Sequence, residues 1–403
     1  MLAPSLALAL AALSASLPAA LSADDAVRLA LANSPAARAA YESVGVARAE
    51  VLQAGLPQNP KLETYVRFSD DPVRTNRAVG VTQNILDLVL RPKRRAVAQE
   101  RLEGERQRVA DTLVRLAAEV KTSYWNLVGA TRLLNLQRKV TEAADLAAEM
   151  ARRQREAGNI NALELATQQA TWQQAHVDLT RTEVDVATAR ETLARRLGPD
   201  QPPDTLIVAE ALPALPATDP APEPLAARAL ARRGDLGAHR REVRALQGTL
   251  AVERASVLGE VNLGVQTELE PEGERVTGPT LSLDLPLFDR RQAARAKVRH
   301  EIRREIHETE DLELAVRAEV RIAVEKMRAA RRAIESYQRT ILPLQAQIVE
   351  QSQLNYNYML VGVYTLLIAK QNELLAEREL ARAQLDYWLA ATELERATGG
   401  AAP

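Results

Sequence analysis

The chain contains no cysteine, which excludes disulfides, cysteine-ligated zinc and a lipid-modified amino-terminal cysteine. Aromatic residues make up only 3% of its 403 residues, two of them Phe, so any core must be built from Ala, Leu and Val. Charge of one sign is lacking too: 52 Lys and Arg face 53 Asp and Glu, the net charge is −1 and the pI is about 6.5. Nucleic-acid binding would need a basic face that this balance does not supply, so no nucleic-acid partner is expected.

Catalytic chemistry is equally sparse. The histidines are four: His176, His239, His300 and His307. His300-Glu301 begins like a zinc-protease helix, but Arg304 stands where the second ligand would be. His300 and His307, two turns apart beside Glu301 and Glu308, read as a surface cluster rather than a metal site. There is no P-loop, no Gly-x-Ser-x-Gly elbow and no Gly-x-Gly-x-x-Gly fingerprint. Asp24-Asp25 and Asp70-Asp71 fall at expected caps and turns. No enzyme activity, cofactor or metal site is assigned.

Long apolar runs are missing beyond the amino terminus. There, residues 5–23 form an apolar stretch with Pro18 and small residues before Asp24-Asp25, which reads as a secretory signal peptide cleaved near Ser22 or Ala23. The segment carries no Lys or Arg, and an amino-terminal anchor is the alternative reading.

What is present is a repeat. Ala118-Glu119-Val120-Lys121 returns 200 positions later as Ala318-Glu319-Val320-Arg321, and Ala130 and Arg132 return as Ala330 and Arg332. Ala157-Gly158-Asn159-Ile160-Asn161 is matched to Val361-Gly362-Val363-Tyr364-Thr365, 204 positions on, which implies an insertion of four residues, about one helical turn. A unit this long is not a solenoid repeat. The first copy spans 24–198 and the second 225–398, with a tail at 399–403. Between them, residues 199–224 hold eight of the twenty prolines and read as a largely irregular linker, with a short strand at 205–208 as an option.

Each copy reads as a helix, a β-hairpin and a long helical hairpin. In the first, Asp24 or Asp25 caps a helix over 24–55, which is interrupted at Asn33-Ser34-Pro35 and ended by Pro57 and Pro60. Leu62, Thr64, Val66 and Phe68 then alternate with Lys61, Glu63, Tyr65 and Arg67; Asp70-Asp71-Pro72 marks a turn, and an extended run follows from 77 to 88. In the second, Val261, Leu263, Val265, Thr267 and Leu269 alternate with polar neighbours, Pro271-Glu272-Gly273 turns the chain, and Leu281, Leu283, Leu285 and Leu287 alternate again. Runs of about ten residues with one apolar face suit strands of an outer-membrane barrel. They equally suit a soluble hairpin with its apolar face inward, and periodicity leaves both open.

Basic clusters follow the hairpins, at Arg91, Lys93, Arg94 and Arg95 and at Arg290, Arg291, Arg295, Lys297 and Arg299. They read either as lipid-phosphate contacts or as solvated helix surface. Long helices are expected from Pro92 to Ala157 and from Asp289 to the second tip, with return helices to Leu197 and Ala397 and a kink at Pro343. At the tips, Gly158 and Gly362 are expected to be left-handed residues that let the chain reverse.

This order resembles the TolC-type outer-membrane efflux proteins over essentially the whole mature chain. Asn59-Pro60-Lys61-Leu62 looks like the family's entry to its first strand, notably in cation-efflux members, and Leu285-Pro286-Leu287-Phe288-Asp289 like its exit from the last. Ile341-Leu342-Pro343-Leu344 looks like the equatorial kink, and Val361-Gly362 with Thr365 like the tip. The resemblance implies a mainly α fold with a small membrane β-barrel: duplicated long helical hairpins plus four β-strands per chain, a trimeric 12-stranded barrel and an α-helical tunnel. It implies a homotrimer in the outer membrane, in contact with its lipid. Its tunnel stands in the periplasm and passively conducts solutes delivered by an inner-membrane pump through a periplasmic adaptor. The adaptor-docking tips would be Gly158, Asn159, Val361, Gly362, Val363 and Thr365. Where the family often carries gating Asp and Arg residues, this chain has Ile368, Gln371 and Tyr364, while the first hairpin keeps Glu164 about two turns inside the mouth. A type I secretion duct, a periplasmic adaptor and a coiled-coil scaffold without a channel are the rival readings. Duplicated hairpins and few strands argue against the adaptor, and four alternating runs of about ten residues argue against the scaffold.

Overall fold

A computed structural model describes residues 21–68, 75–199, 201–270 and 272–400. The signal segment up to residue 20, the turn at Asp70-Asp71-Pro72, Pro271 and the last three residues of the tail lie outside the described residues. The elements are α1 (Ala23–Asn33), α2 (Pro35–Ala54), β1 (Lys61–Phe68), β2 (Thr75–Asn84), α3 (Ile85–Glu156), α4 (Ala162–Leu197), α5 (Pro222–Arg232), α6 (Gly234–Ala255), β3 (Val261–Leu269), β4 (Arg275–Leu283), α7 (Gln292–Ser336), a π-helical turn (Tyr337–Ile341), α8 (Leu342–Asn357) and α9 (Val363–Ala397). Two compact units divide the chain, one of residues 40–111 and 233–315, the other of the remainder.

The unit of residues 40–111 and 233–315 holds all four strands, in one antiparallel sheet of order β1-β2-β3-β4. Strand β2 ends earlier than the expected extended run to residue 88. Asn84 caps α3 by accepting the Asp87 backbone N–H at 3.0 Å, so residues 85–88 are helix, and Pro92 lies inside α3 rather than at its start. Strand β4 likewise ends at Leu283. Asp284 turns back to accept the Glu260 N–H at 3.1 Å, and Pro286 has no N–H to donate. Leu285 and Leu287 therefore lie beyond the strand.

The other unit holds the hairpin ends and the linker. Ser22, not Asp24 or Asp25, caps α1 by accepting the Asp25 N–H at 3.1 Å. Small residues let α1 and α2 pack closely: Ala26, Ala30 and Ala37 are fully buried with Val120, Leu127, Val128, Leu193 and Leu197. The scarce aromatics gather here as well. Tyr124, Trp125, Tyr387 and Trp388 form a chain of ring contacts with centroids 4.9, 5.2 and 5.8 Å apart.

The linker is irregular but held. Leu21 N–H donates to the Ile207 carbonyl at 2.7 Å, a single parallel bridge in place of a strand at 205–208. Trp388 Nε1 donates to the Pro213 carbonyl at 3.2 Å. Arg331 grips Asp219 with two bonds of 2.8 Å and reaches the Pro216 carbonyl at 2.7 Å, and Tyr387 Oη donates to Asp219 at 2.9 Å. Burial opposes ionisation of Asp219, but these donors and the guanidinium charge outweigh it and hold the carboxyl below its usual value. Burial and the carboxylate push the Tyr387 hydroxyl up to about 12.

The repeat offset is not uniform. Strands β3 and β4 begin 200 positions after β1 and β2, but the hairpin ends are 201 apart. In the first, Gly158 has φ +75° and Asn159 N–H donates to the Gln154 carbonyl at 2.8 Å; in the second, Met359 has φ +59° and Leu360 N–H donates to the Asn355 carbonyl at 2.8 Å. Gly362 has φ −74° and is the N-cap of α9, matching Asn161 rather than Gly158. The expected insertion of four residues and the left-handed Gly362 are both corrected. One residue is inserted, and the π turn before Pro343 accounts for it: an i→i+5 turn holds one residue more than an α turn, as in the Leu342 N–H to Tyr337 carbonyl bond.

Candidate functional site

The sheet presents two unlike faces. Cross-strand partners share a face, so register places Leu62, Val66, Val79, Val81, Leu263, Val265, Leu281 and Leu283 together. All of these are exposed, Leu62 at 69% and Leu281 at 65%. The other face carries Glu63, Tyr65, Asn76, Ala78, Gly80, Thr82, Gln266 and Glu268. Along β2 its members Ala78, Gly80, Thr82 and Asn84 are buried while Arg77, Val79 and Val81 are not. Two pairs of polar groups bond across this face: Gln266 Nε2 donates to Tyr65 Oη at 3.2 Å and Asn76 donates to Glu268.

Along β2 this burial is the inverse of a soluble sheet, and the apolar face is exposed on all four strands, so the apolar-inward alternative fails. The covered face is polar and rich in small residues. At Gly264 a side chain would collide with the Val81 carbonyl and Thr82, so glycine there permits the close approach of β2 and β3. Among the described residues, strands β1 and β4 each have one edge without a paired strand. Such edges have no partner in hydrocarbon and demand closure.

Just after β2, one member of the basic cluster has an internal task. Arg94 pairs with Asp87, whose side chain is 1% exposed and also accepts the Gln58 N–H at 3.1 Å. Arg91, Lys93 and Arg95 remain exposed. Beyond β4, Leu285, Leu287 and Phe288 are exposed, Phe288 at 92%.

At the hairpin ends the expected residues separate into distinct settings. Gly158, Asn159, Gly362 and Thr365 are exposed, Val361 is half-buried, and Val363 is buried. Val363 is thus a packing residue, not part of an exposed tip. Glu164 is the third residue of α4. Its N–H donates to Asn161 Oδ1 at 2.9 Å and its carboxylate accepts the Asn161 N–H at 3.4 Å, a capping box in the first turn rather than two turns in. Tyr364, half-buried at the start of α9, donates to Gln154 Oε1 at 2.8 Å and so ties the second hairpin to the first. Burial raises its hydroxyl pKa, with the Glu164 charge adding to the effect, so these two candidates are neighbours. Ile368 is exposed and Gln371 half-buried. By the 201 offset, Glu164 is equivalent to Thr365 and Ile368 to Thr167.

His300 faces Arg303 and His307 pairs with Glu310 at 3.0 Å, so they make no joint site. His239, which stands alone in sequence, is brought by α6 and α7 to Glu305 and Glu308. Nothing local could have signalled this, because the partners lie 66 residues or more away.

The family model for outer membrane efflux proteins matches residues 26–199 and 225–400, the two copies without the linker. The chain is 28% identical to protein CyaE of Bordetella pertussis over 77% of its own length and 70% of that protein's. It is 25% identical to the cobalt-zinc-cadmium resistance protein CzcC of Cupriavidus metallidurans over 87% and 83%. Among solved structures, the Campylobacter jejuni CmeC outer membrane channel is similar with a TM-score of 0.79 at 15% identity, over 97% of this chain and 91% of that one. The outer-membrane channel OprN gives 0.78 at 18%, over 94% and 90%.

Proposed function

The chain belongs to the outer membrane efflux protein family, and from that premise we propose that three copies close a single twelve-stranded barrel and serve as the exit duct of a tripartite pump. The observation that carries the reading is the inverted sheet. Its outward face is apolar and its covered face polar, and four strands with two open edges are too few for a barrel by themselves. Edge β1 of one copy would pair with β4 of the next. The helical hairpins form the periplasmic tunnel, and a periplasmic adaptor fed by an inner-membrane pump engages their ends. Conduction is passive.

At the hairpin ends, Glu164 and Tyr364 are the residues we place at the duct's narrow end, with Ile368 and Gln371 further along α9. Three Glu164 carboxylates around a three-fold axis would favour cations there. Gly158, Asn159, Gly362 and Thr365 remain as the accessible docking positions, with Val361 beside them and Val363 supporting from beneath.

The absence of cysteine makes the test clean. Paired substitutions Thr64→Cys in β1 and Leu281→Cys in β4, both on the apolar face, oxidised in outer-membrane preparations, should give covalent species up to trimer size. Each single variant should give none. A ladder stopping at dimers, or no linkage at any neighbouring register, would overturn trimeric closure.

A further inference from the structure

We propose that His239, Glu305 and Glu308 form a binding site for a divalent transition-metal ion of the zinc class, joining the two helices that flank the second β-hairpin. Helix α6 supplies the imidazole and α7 both carboxylates, which three-residue spacing puts on one helical face. One ligand atom from each residue lies within 4.8 Å of the others, and His239 Nδ1 is 2.7 Å from Glu305 Oε1. Ligand atoms around tetrahedral zinc lie about 3.3 Å apart, given bonds of about 2.0–2.1 Å, so shifts of side-chain size complete the set. One imidazole and two carboxylates suit zinc or cobalt and leave a fourth position for water.

The surrounding charges single this cluster out. Arg240 pairs with Glu313 at 3.0 Å, Arg241 with Glu100 at 3.0 Å, Arg101 with Glu242 at 3.8 Å and Arg233 with Asp235 at 2.6 Å. Each of those carboxylates has an arginine. Glu305, with 9% of its side chain exposed, has no Lys or Arg partner among the described residues, only the imidazole. A carboxylate buried this deeply normally takes a full cation or a metal. Glu308 is half-exposed and 3.6 Å from Arg304, close enough to exchange that surface contact for a metal bond. The inference stands apart from the proposed duct, since it concerns two helices of one chain.

The test uses the full-length protein extracted in detergent, stripped with chelator and dialysed against Zn2+, then against Co2+ for its visible absorption. Wild type should retain one Zn2+ per protomer and show Co2+ ligand-field bands. His239→Ala and Glu308→Gln should lose both, while His307→Ala, which removes the exposed His307–Glu310 pair, should keep both. Because Glu305 is buried, Glu308→Gln is the variant that guards against misfolding. Equal metal retention in wild type and Glu308→Gln, or none in wild type, would overturn the site. Single-channel conductance of the same metal-free samples reports separately on the duct.

Discussion

Val265 and Gln266 are adjacent in β3, and their side chains meet opposite environments. Val265 is 57% exposed on the apolar face, whereas Gln266 bonds Tyr65 on the polar one. A lysine at 265 would place a charge in hydrocarbon near the barrel's midplane, at a cost of about 2–4 kcal/mol per chain. Gln266→Lys, facing water, should cost little. Heat-resistant oligomer on gels reads both, and equal sensitivity would reverse the assignment of faces. Asp219 makes the second case at this scale. Its carboxyl is depressed in the folded state, so the stability it contributes is present above the ordinary carboxylate range and is lost as pH falls through the lowered value. Asp219→Asn leaves Arg331 charged and largely enclosed, with 19% of its side chain exposed. The expected loss is about 2–3 kcal/mol, less than for a fully buried pair because Arg331 keeps some solvent. Denaturation at pH 7 should show that loss, and the gap from wild type should begin to narrow below about pH 4 and vanish only once pH has fallen through the lowered value.

Among the elements, the two long hairpins differ by the π turn. Helix α3 runs unbroken for 72 residues, about 108 Å at 1.5 Å per residue. Its counterpart is divided into α7, the turn at Tyr337–Ile341 and α8. Pro343 lacks an N–H and its ring crowds the carbonyl four residues back, so widening the turn relieves both faults. Deleting Thr340 together with Pro343→Ala should therefore restore a plain α-helix and keep every downstream face in register. The oligomer should survive. Deleting Lys326 instead, within α7, turns the remainder of the helix by about 100° and should abolish assembly. If both deletions assemble equally well, the extra residue does not reside in the π turn. Glycine matching gave the wrong tip equivalence because glycine serves two conformations here: left-handed reversal at Gly158 and an ordinary cap at Gly362.

For the molecule as a whole, the open sheet edges and the exposed apolar face make a lone chain incomplete. On the proposed docking at the hairpin ends, export depends on what meets them. Gly362 has open space where a side chain would be added and an ordinary φ, so Gly362→Arg should leave oligomer and barrel unchanged. Export measured in cells should nevertheless fail if an adaptor seats there. Normal export with this variant would move the docking surface elsewhere. Local periodicity was enough to reveal the duplication, the helix-hairpin-helix order and the composition of each strand face, because alternation and helical spacing repeat within a few residues. It overran β2 by four residues, because Ile85, Leu86 and Leu88 are as apolar as the strand before them while Asn84 and Asp87 start a helix. Which face the sheet covers, which residue reverses each hairpin, and the meeting of His239 with Glu305 were settled only in three dimensions. Those outcomes turn on cross-strand register, on a hydrogen bond one residue longer than usual, and on partners 66 or more positions apart, none of which a local pattern encodes.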